Sequence, residues 1–198
     1  MGDYRELRRR AEDRGVVLRG INPLKIRGCG IGVVTARKLT EGKVILKVPT
    51  KALCSLYTVS VVILSKPPHD SPFHGILAAN IALDTTTALE PWETTLPSLL
   101  ADFEATTPYY WLLEFQDLLP KPAKDILKKK QFHFQHHWNI VSKVFPQVRL
   151  EDYLYSWFLA NTPTFYYETP EMEKYNWEDR LALLPIAELF NHADGNVR

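Results

Sequence analysis

An Asn-His pair, Asn191 and His192, stands where an apolar run gives way to a polar cluster in the segment LPIAELFNHADGNVR. Asn carries a donor and an acceptor, and neutral His one of each, so together they can fix an amide- or purine-like ligand. Rigid scaffolds present binding groups where core elements end, which is where this pair falls. By itself the pair also fits, and more often reports, an Asx-type turn capping a core strand. A second group lies near the other end, in KIRGCGIGVVTARKLTEGKVILKVPT, where Gly28, Gly30 and Gly32 alternate with Cys29 and Ile31. That spacing strips side chains from one face of an extended segment and lets another molecule approach the backbone. No helix opens after these glycines and no Gly-Lys-Ser/Thr follows, which excludes a dinucleotide fingerprint and a phosphate loop. A closely packed hairpin with glycines at bulges is the alternative.

Other residue types invite chemistry less strongly. His133 and His137 lie four apart with His136 beside them, the spacing of a two-histidine metal site. No acid or cysteine close in sequence completes a shell, and Phe132, Phe134 and Trp138 interleave as core residues would, so no metal site is assigned. Lys128, Lys129 and Lys130 share a predicted helix with Asp125 and read as a solvated face. Trp111, Trp138 and Trp157 read as packing residues at helix contacts.

The elements that must position these groups follow from periodicity and breakers. Asp3 can cap a short arginine-rich helix ending near Gly15. Strands occupy 18–57: Val33-Val34, a turn at Glu41-Gly42, and an alternating run from Val44 to Val48 closed by Pro49, read together as a β-hairpin. The loop from Lys66 to Pro72 opens a helical stretch, with helices over 74–83, 109–119, 123–145 and 150–159. The apolar stretch Leu183, Leu184, Ile186, Leu189 and Phe190 reads as a strand leading into Asn191. This is an α+β chain.

With 198 residues and 45% hydrophobic content the chain can bury a sizeable core as a single unit. Its 24 basic and 23 acidic residues give a net charge of +1, so no whole-chain field favours nucleic acid. Charge is uneven, with 13 Lys/Arg against 5 Asp/Glu in residues 1–60 and 1 against 8 in residues 61–120. Such a pattern suits a solvated surface and, alternatively, steering of a charged protein substrate. Cys29 and Cys54 lack zinc-site partners, no secretory or myristoylation signal is evident, and the longest apolar runs are too short to span a bilayer. The expectation is an intracellular, reduced protein of the cytoplasm or nucleus, not associated with membrane.

Taken in order, the glycine segment, the long helical stretch from Glu90 to Val141, YSWFLANTPTFYY and the Asn-His segment resemble SET-domain methyltransferases, specifically the Rubisco large-subunit methyltransferase-like branch. The resemblance runs from about Leu18 to Gly195 and implies one SET-like domain over 1–198. Within it, 18–57 would be N-terminal SET strands, 66–149 a helical insert, and 150–198 the cofactor-site helix and Asn-His segment. It implies transfer of methyl from S-adenosylmethionine to a lysine side chain of a protein substrate. Gly30, Ile31 and Gly32 would lie against the methionine part of the cofactor, and Asn191 and His192 would contact its amino acid and adenine portions. The two groups are therefore expected to be neighbours in the fold.

The sequence departs from the family pattern at three places. Pro163 stands where an Asn-Thr-Arg-Thr-Phe pattern has Arg, removing a cation and a backbone donor. Cys29 stands where a larger or charged residue is common. The sequence ends six residues after His192, before the family's channel tyrosine, threaded segment and last helical domain. None of Tyr153, Tyr155, Tyr166, Tyr167 and Tyr175 takes the tyrosine's place, so no catalytic residue is assigned. An incomplete copy is expected, inactive alone, with weak cofactor binding and an exposed apolar surface. The alternatives are a non-catalytic truncated SET-like binding or regulatory module, and an unrelated helical interaction domain.

Overall fold

A computed structural model describes residues 4–27, 30–84, 101–104, 106–161 and 164–190. In chain order the elements are α1 (Arg5–Asp13), β1 (Val17–Leu18), β2 (Ile21–Ile26), β3 (Gly30–Thr35), β4 (Leu46–Lys47), α2 (Val61–Leu64) and α3 (Phe73–Leu83). There follow α4 (Ala101–Glu104), α5 (Leu113–Gln116), α6 (Lys121–Val144), α7 (Leu150–Asn161), β5 (Thr164–Tyr166) and β6 (Leu181–Leu183). The chain is mixed helix and sheet, compatible with α+β.

Helix α1 buries Leu7 and Ala11, one turn apart, and faces water with ion pairs from Arg8 to Glu12 and Arg9 to Asp13, each 2.8 Å. Its end is fixed by Gly15 at φ 89°. There the Gly15 N–H bonds Glu12 O at 2.8 Å and the Val16 N–H bonds Ala11 O at 3.0 Å, the paired hydrogen bonds of a glycine-terminated helix. Asp3, the expected cap, lies outside the described residues.

The strands pair differently from the sequence expectation. β2 and β3 form the hairpin, in unbroken register from Ile21 opposite Thr35 to Ile26 opposite Gly30. The 44–48 run instead supplies β4, which pairs with β1. The reason is visible at Gly20, whose φ of 74° turns the chain between β1 and β2 and sends each strand to a different partner. No bulge interrupts the register along Gly30 and Gly32.

Among the described residues, two apolar clusters hold the elements together. The larger joins α3, α6 and α7 through Phe73, Leu77, Phe134, Val141, Tyr153 and Trp157. α3 is buried on every side from Phe73 to Ile81, as expected of a helix that is apolar all round. The smaller unites Leu7, Leu18, Ile21 and Ala52 with Ile186 and Leu189 from the far end of the chain. β5 and β6 pair antiparallel, and a bridge from Cys54 to Leu183 ties them back to the N-terminal region.

The helices over 73–83, 121–144 and 150–161 match the periodicity. The helix expected over 109–119 does not form as one piece: it breaks into a 3₁₀ turn at Pro108–Tyr110 and the single turn of α5. Trp111 and Leu112 between them are extended, and Leu112, Leu113 and Leu118 are exposed, so no core face holds a continuous helix together.

α3 and α6 approach closely at Gly75, where an added Cβ would sit 3.1 Å from both Cβ and Cγ of His137. The His137 ring cannot yield, because its Nδ1 accepts a 3.0 Å bond from Trp157 Nε1. Gly75→Ala is therefore expected to destabilise the fold by about 1–3 kcal/mol, despite alanine's better helix propensity of about 1 kcal/mol. A urea midpoint equal to or above that of the parent would contradict this.

Candidate functional site

The glycine segment forms β3, and its two faces differ. Ile31 and Val33 pack on the smaller cluster, on the same side of the hairpin as buried Ile21 and Pro23. By strand alternation Gly30 and Gly32 present the opposite face, across from Ile26 and Leu24. Leu24 is exposed there while Gly32 is buried. Gly30 and Gly32 put no side chain on that face, where Gly32 is itself buried.

The approach to the Asn-His pair is a turn where a strand was expected. β6 stops at Leu183, the chain folds over at Ile186, and a 3₁₀ turn runs through Ala187–Leu189. Ile186 adopts φ 73°, ψ −33°, a left-handed conformation that costs a β-branched residue of order 1–3 kcal/mol. Its fully buried side chain holds it there, packed with Leu189 in the cluster that also receives Ile31 and Val33. Continuation as a strand would have taken Ile186 out of this core. The Ala187–Leu189 turn touches β3. Phe190, the next residue, is 39% exposed. Asn191 and His192 lie outside the described residues, as do Gly28, Cys29 and Pro163.

The other candidates find structural partners. Trp157 is sandwiched in the larger cluster: its ring stacks on His74 at 4.9 Å, and its Nε1–H donates to His137 Nδ1. His74 Nε2 lies 3.3 Å from Trp157 O and donates to it, since a carbonyl only accepts. His137 Nδ1 accepts, which makes that ring neutral, and burial holds the pKa values of both imidazoles down, to about 4 for His74 and about 3 for His137. The backbone N–H of His74 bonds Asp179 Oδ1 at 2.9 Å. His137, read as half of a histidine pair, is itself a core residue, whereas Phe132, read as core, is 70% exposed. The buried stripe of α6 is Leu127, Phe134, His137 and Val141. Among the described residues no group of three or more His, Cys, Asp or Glu could hold a metal ion.

Lys129 pairs with Glu178 at 2.5 Å, and burial lowers the pKa of Lys130. Burial pushes the Cys54 thiol up to about 12, which removes it as a nucleophile at neutral pH. Tyr153 is buried in the helical core and its hydroxyl donates to Gly75 O at 3.2 Å, whereas Tyr166 is exposed and donates to Glu168 at 2.6 Å. Arg180 organises the loop between β5 and β6: it pairs with Glu168, and its Nε and Nη2 bond Tyr175 O and Glu173 O. Nothing in the sequence spacing marks this role. Among the described residues, no helix is long and apolar enough to cross a membrane.

No protein-family model matches the sequence. The chain is similar to SET domain-containing protein 4 of Mus musculus, with 24% identity over 211 aligned positions. The alignment covers 96% of this chain and 47% of that protein, so the chain spans about half the length of this curated relative. The similarity is distant, runs along nearly the whole sequence, and is to a SET domain-containing protein.

Proposed function

We propose that this chain contributes the cofactor-binding part of a SET-class protein-lysine methyltransferase of the Rubisco large-subunit methyltransferase-like branch. S-adenosylmethionine is the methyl donor and a protein lysine the acceptor. Residues 1–198 form one SET-like unit in which 66–149 are an insert between the N-terminal strands and the 150–198 segment. The observation that carries this reading is the similarity along 96% of the chain to a SET domain-containing protein. The contact between β3 and the turn at Ala187–Leu189 favours it, because that turn delivers the chain to Asn191.

When bound, S-adenosylmethionine supplies a methyl group activated on sulfonium. Gly30 and Gly32 admit it to the backbone, and Ile31 anchors the strand in the core so that this backbone is fixed in place. Asn191 and His192 provide paired donors and acceptors for its amino acid and adenine portions. A lysine amine must then arrive neutral, in line and desolvated, so positioning dominates the chemistry. The second reading, a non-catalytic SET-like binding or regulatory module, shares this pocket and differs in lacking transfer.

Titration of S-adenosylmethionine into isotope-labelled protein tests the shared site by NMR. Amide signals of Gly30, Ile31, Gly32, Asn191 and His192 should move together with one dissociation constant. Asn191→Ala should weaken that constant about tenfold, for loss of hydrogen bonds contributing about 1.5 kcal/mol. Movement confined to one segment, or none, would refute the assignment. Radiolabelled methyl transfer to protein extract then separates the enzyme from the binding module.

A further inference from the structure

The β1–β2 turn and the loop from Arg37 to Ile45 border an open cleft of about 360 Å³. The exposed side chains of Arg19, Arg37, Lys38 and Lys43 line it, and among the described residues no carboxylate does. Glu41, in the same loop, is exposed and stays outside the lining. None of the four cations makes a side-chain hydrogen bond or ion pair among the described residues. This contrasts with α1, where Arg8, Arg9 and Arg10 are each matched to a carboxylate.

The arrangement is built into the backbone. Gly20, at φ 74°, lets the Arg37 side chain lie against the chain: a Cβ there would fall 2.9 Å from Arg37 Nε and 2.9 Å from Leu39 Cδ2. The Arg19 N–H bonds Ile45 O at 2.8 Å, and the Ala36 N–H bonds Gly20 O at 2.9 Å. These bonds tie the Arg19–Gly20 turn to both ends of the loop that carries Arg37. Guanidinium groups offer paired donors that match phosphate oxygens, and four uncompensated cations exceed the charge of one phosphate. Leu39, Val44 and Ile45 add an apolar wall suited to the organic body of a ligand. The volume is that of a small-molecule site and too small for a macromolecular groove.

We propose that this cleft binds a small organic anion carrying two or more phosphate groups. The proposal is independent of the methyltransferase reading. It is tested by calorimetry at low salt on the whole chain, with ATP, soluble inositol 1,4,5-trisphosphate and inorganic tripolyphosphate as probes. One of the two organic probes should bind more tightly than tripolyphosphate. Preference for ATP assigns a nucleotide-like ligand, and preference for the inositol phosphate assigns a headgroup-like one. Arg19→Gln and Arg37→Gln lie on the surface and should each weaken binding about tenfold, the loss of a charge-assisted hydrogen bond. Gly20→Ala should weaken it by displacing Arg37 while both arginines remain. Absence of binding, tightest binding of tripolyphosphate, or affinity unchanged in both arginine variants would overturn the proposal.

Discussion

Trp157→Ala is expected to cost about 3–5 kcal/mol, a large share of the roughly 5–15 kcal/mol that holds an ordinary domain folded. Trp157 is 1% exposed and meets Phe134 and Phe158 edge-on at 5.5 and 5.3 Å, in addition to its stack on His74. Its removal opens a cavity between three helices and leaves His137 Nδ1 buried without its donor. Trp157→Phe separates the two effects: it keeps most of the ring but deletes the hydrogen bond, and should cost about 1–3 kcal/mol. Urea unfolding of both variants checks this. Equal losses would mean that the hydrogen bond, and not the volume, dominates the site.

Acid should unfold the protein early, through the same cluster. His74 and His137 have folded-state pKa values depressed chiefly by burial, below the ordinary 6.5. Above that value the imidazoles are neutral in both states and cost nothing. As pH falls below 6.5 the unfolded chain takes up protons that the folded core refuses, so stability declines until about pH 4 for His74 and about 3 for His137. His74 alone amounts to about 3 kcal/mol across its window. The groups facing the pair are His133, His136 and Lys130, which oppose protonation, and Asp179. Burial raises the Asp179 pKa, so its contribution runs the other way, in the carboxylate range. Urea midpoints at pH 7 and pH 5 should differ clearly in the parent and much less in a His74→Asn, His137→Gln double variant. A parent midpoint unchanged between the two would refute the account.

What the sequence reveals of this fold depends on where burial is periodic. Helices α3, α6 and α7 are legible because their apolar residues do face a core. The 109–119 region carries the same types, but Leu112, Leu113 and Leu118 face solvent, so its pattern had no packing behind it. Strand partners were illegible in 17–47 because the choice rests on one turn at Gly20 and on β1 and β4, each two residues long. Ile186 is the sharpest case. A β-branched residue carries no signal for positive φ, and only the requirement that its side chain reach the Leu7 and Leu189 cluster forces it there. The glycines of β3 were readable because stripping a strand face is a local property. The turn that carries the chain toward Asn191 is a property of the whole fold.

The bridge between Cys54 and Leu183 sets the economics of folding. It joins positions separated by about two thirds of the chain, so closing it costs about 4 kcal/mol of loop entropy before any contact there compensates. The helical region between them, with its local contacts, gains by forming first and shortening the effective loop. Once the two ends are clamped, lengthening the intervening excursion is cheap, about 0.6 kcal/mol for each doubling. Insertions in the loops between α2 and α7 should therefore be absorbed with small losses in stability, whereas a single deletion in either bridged segment would slip the register of the bridge.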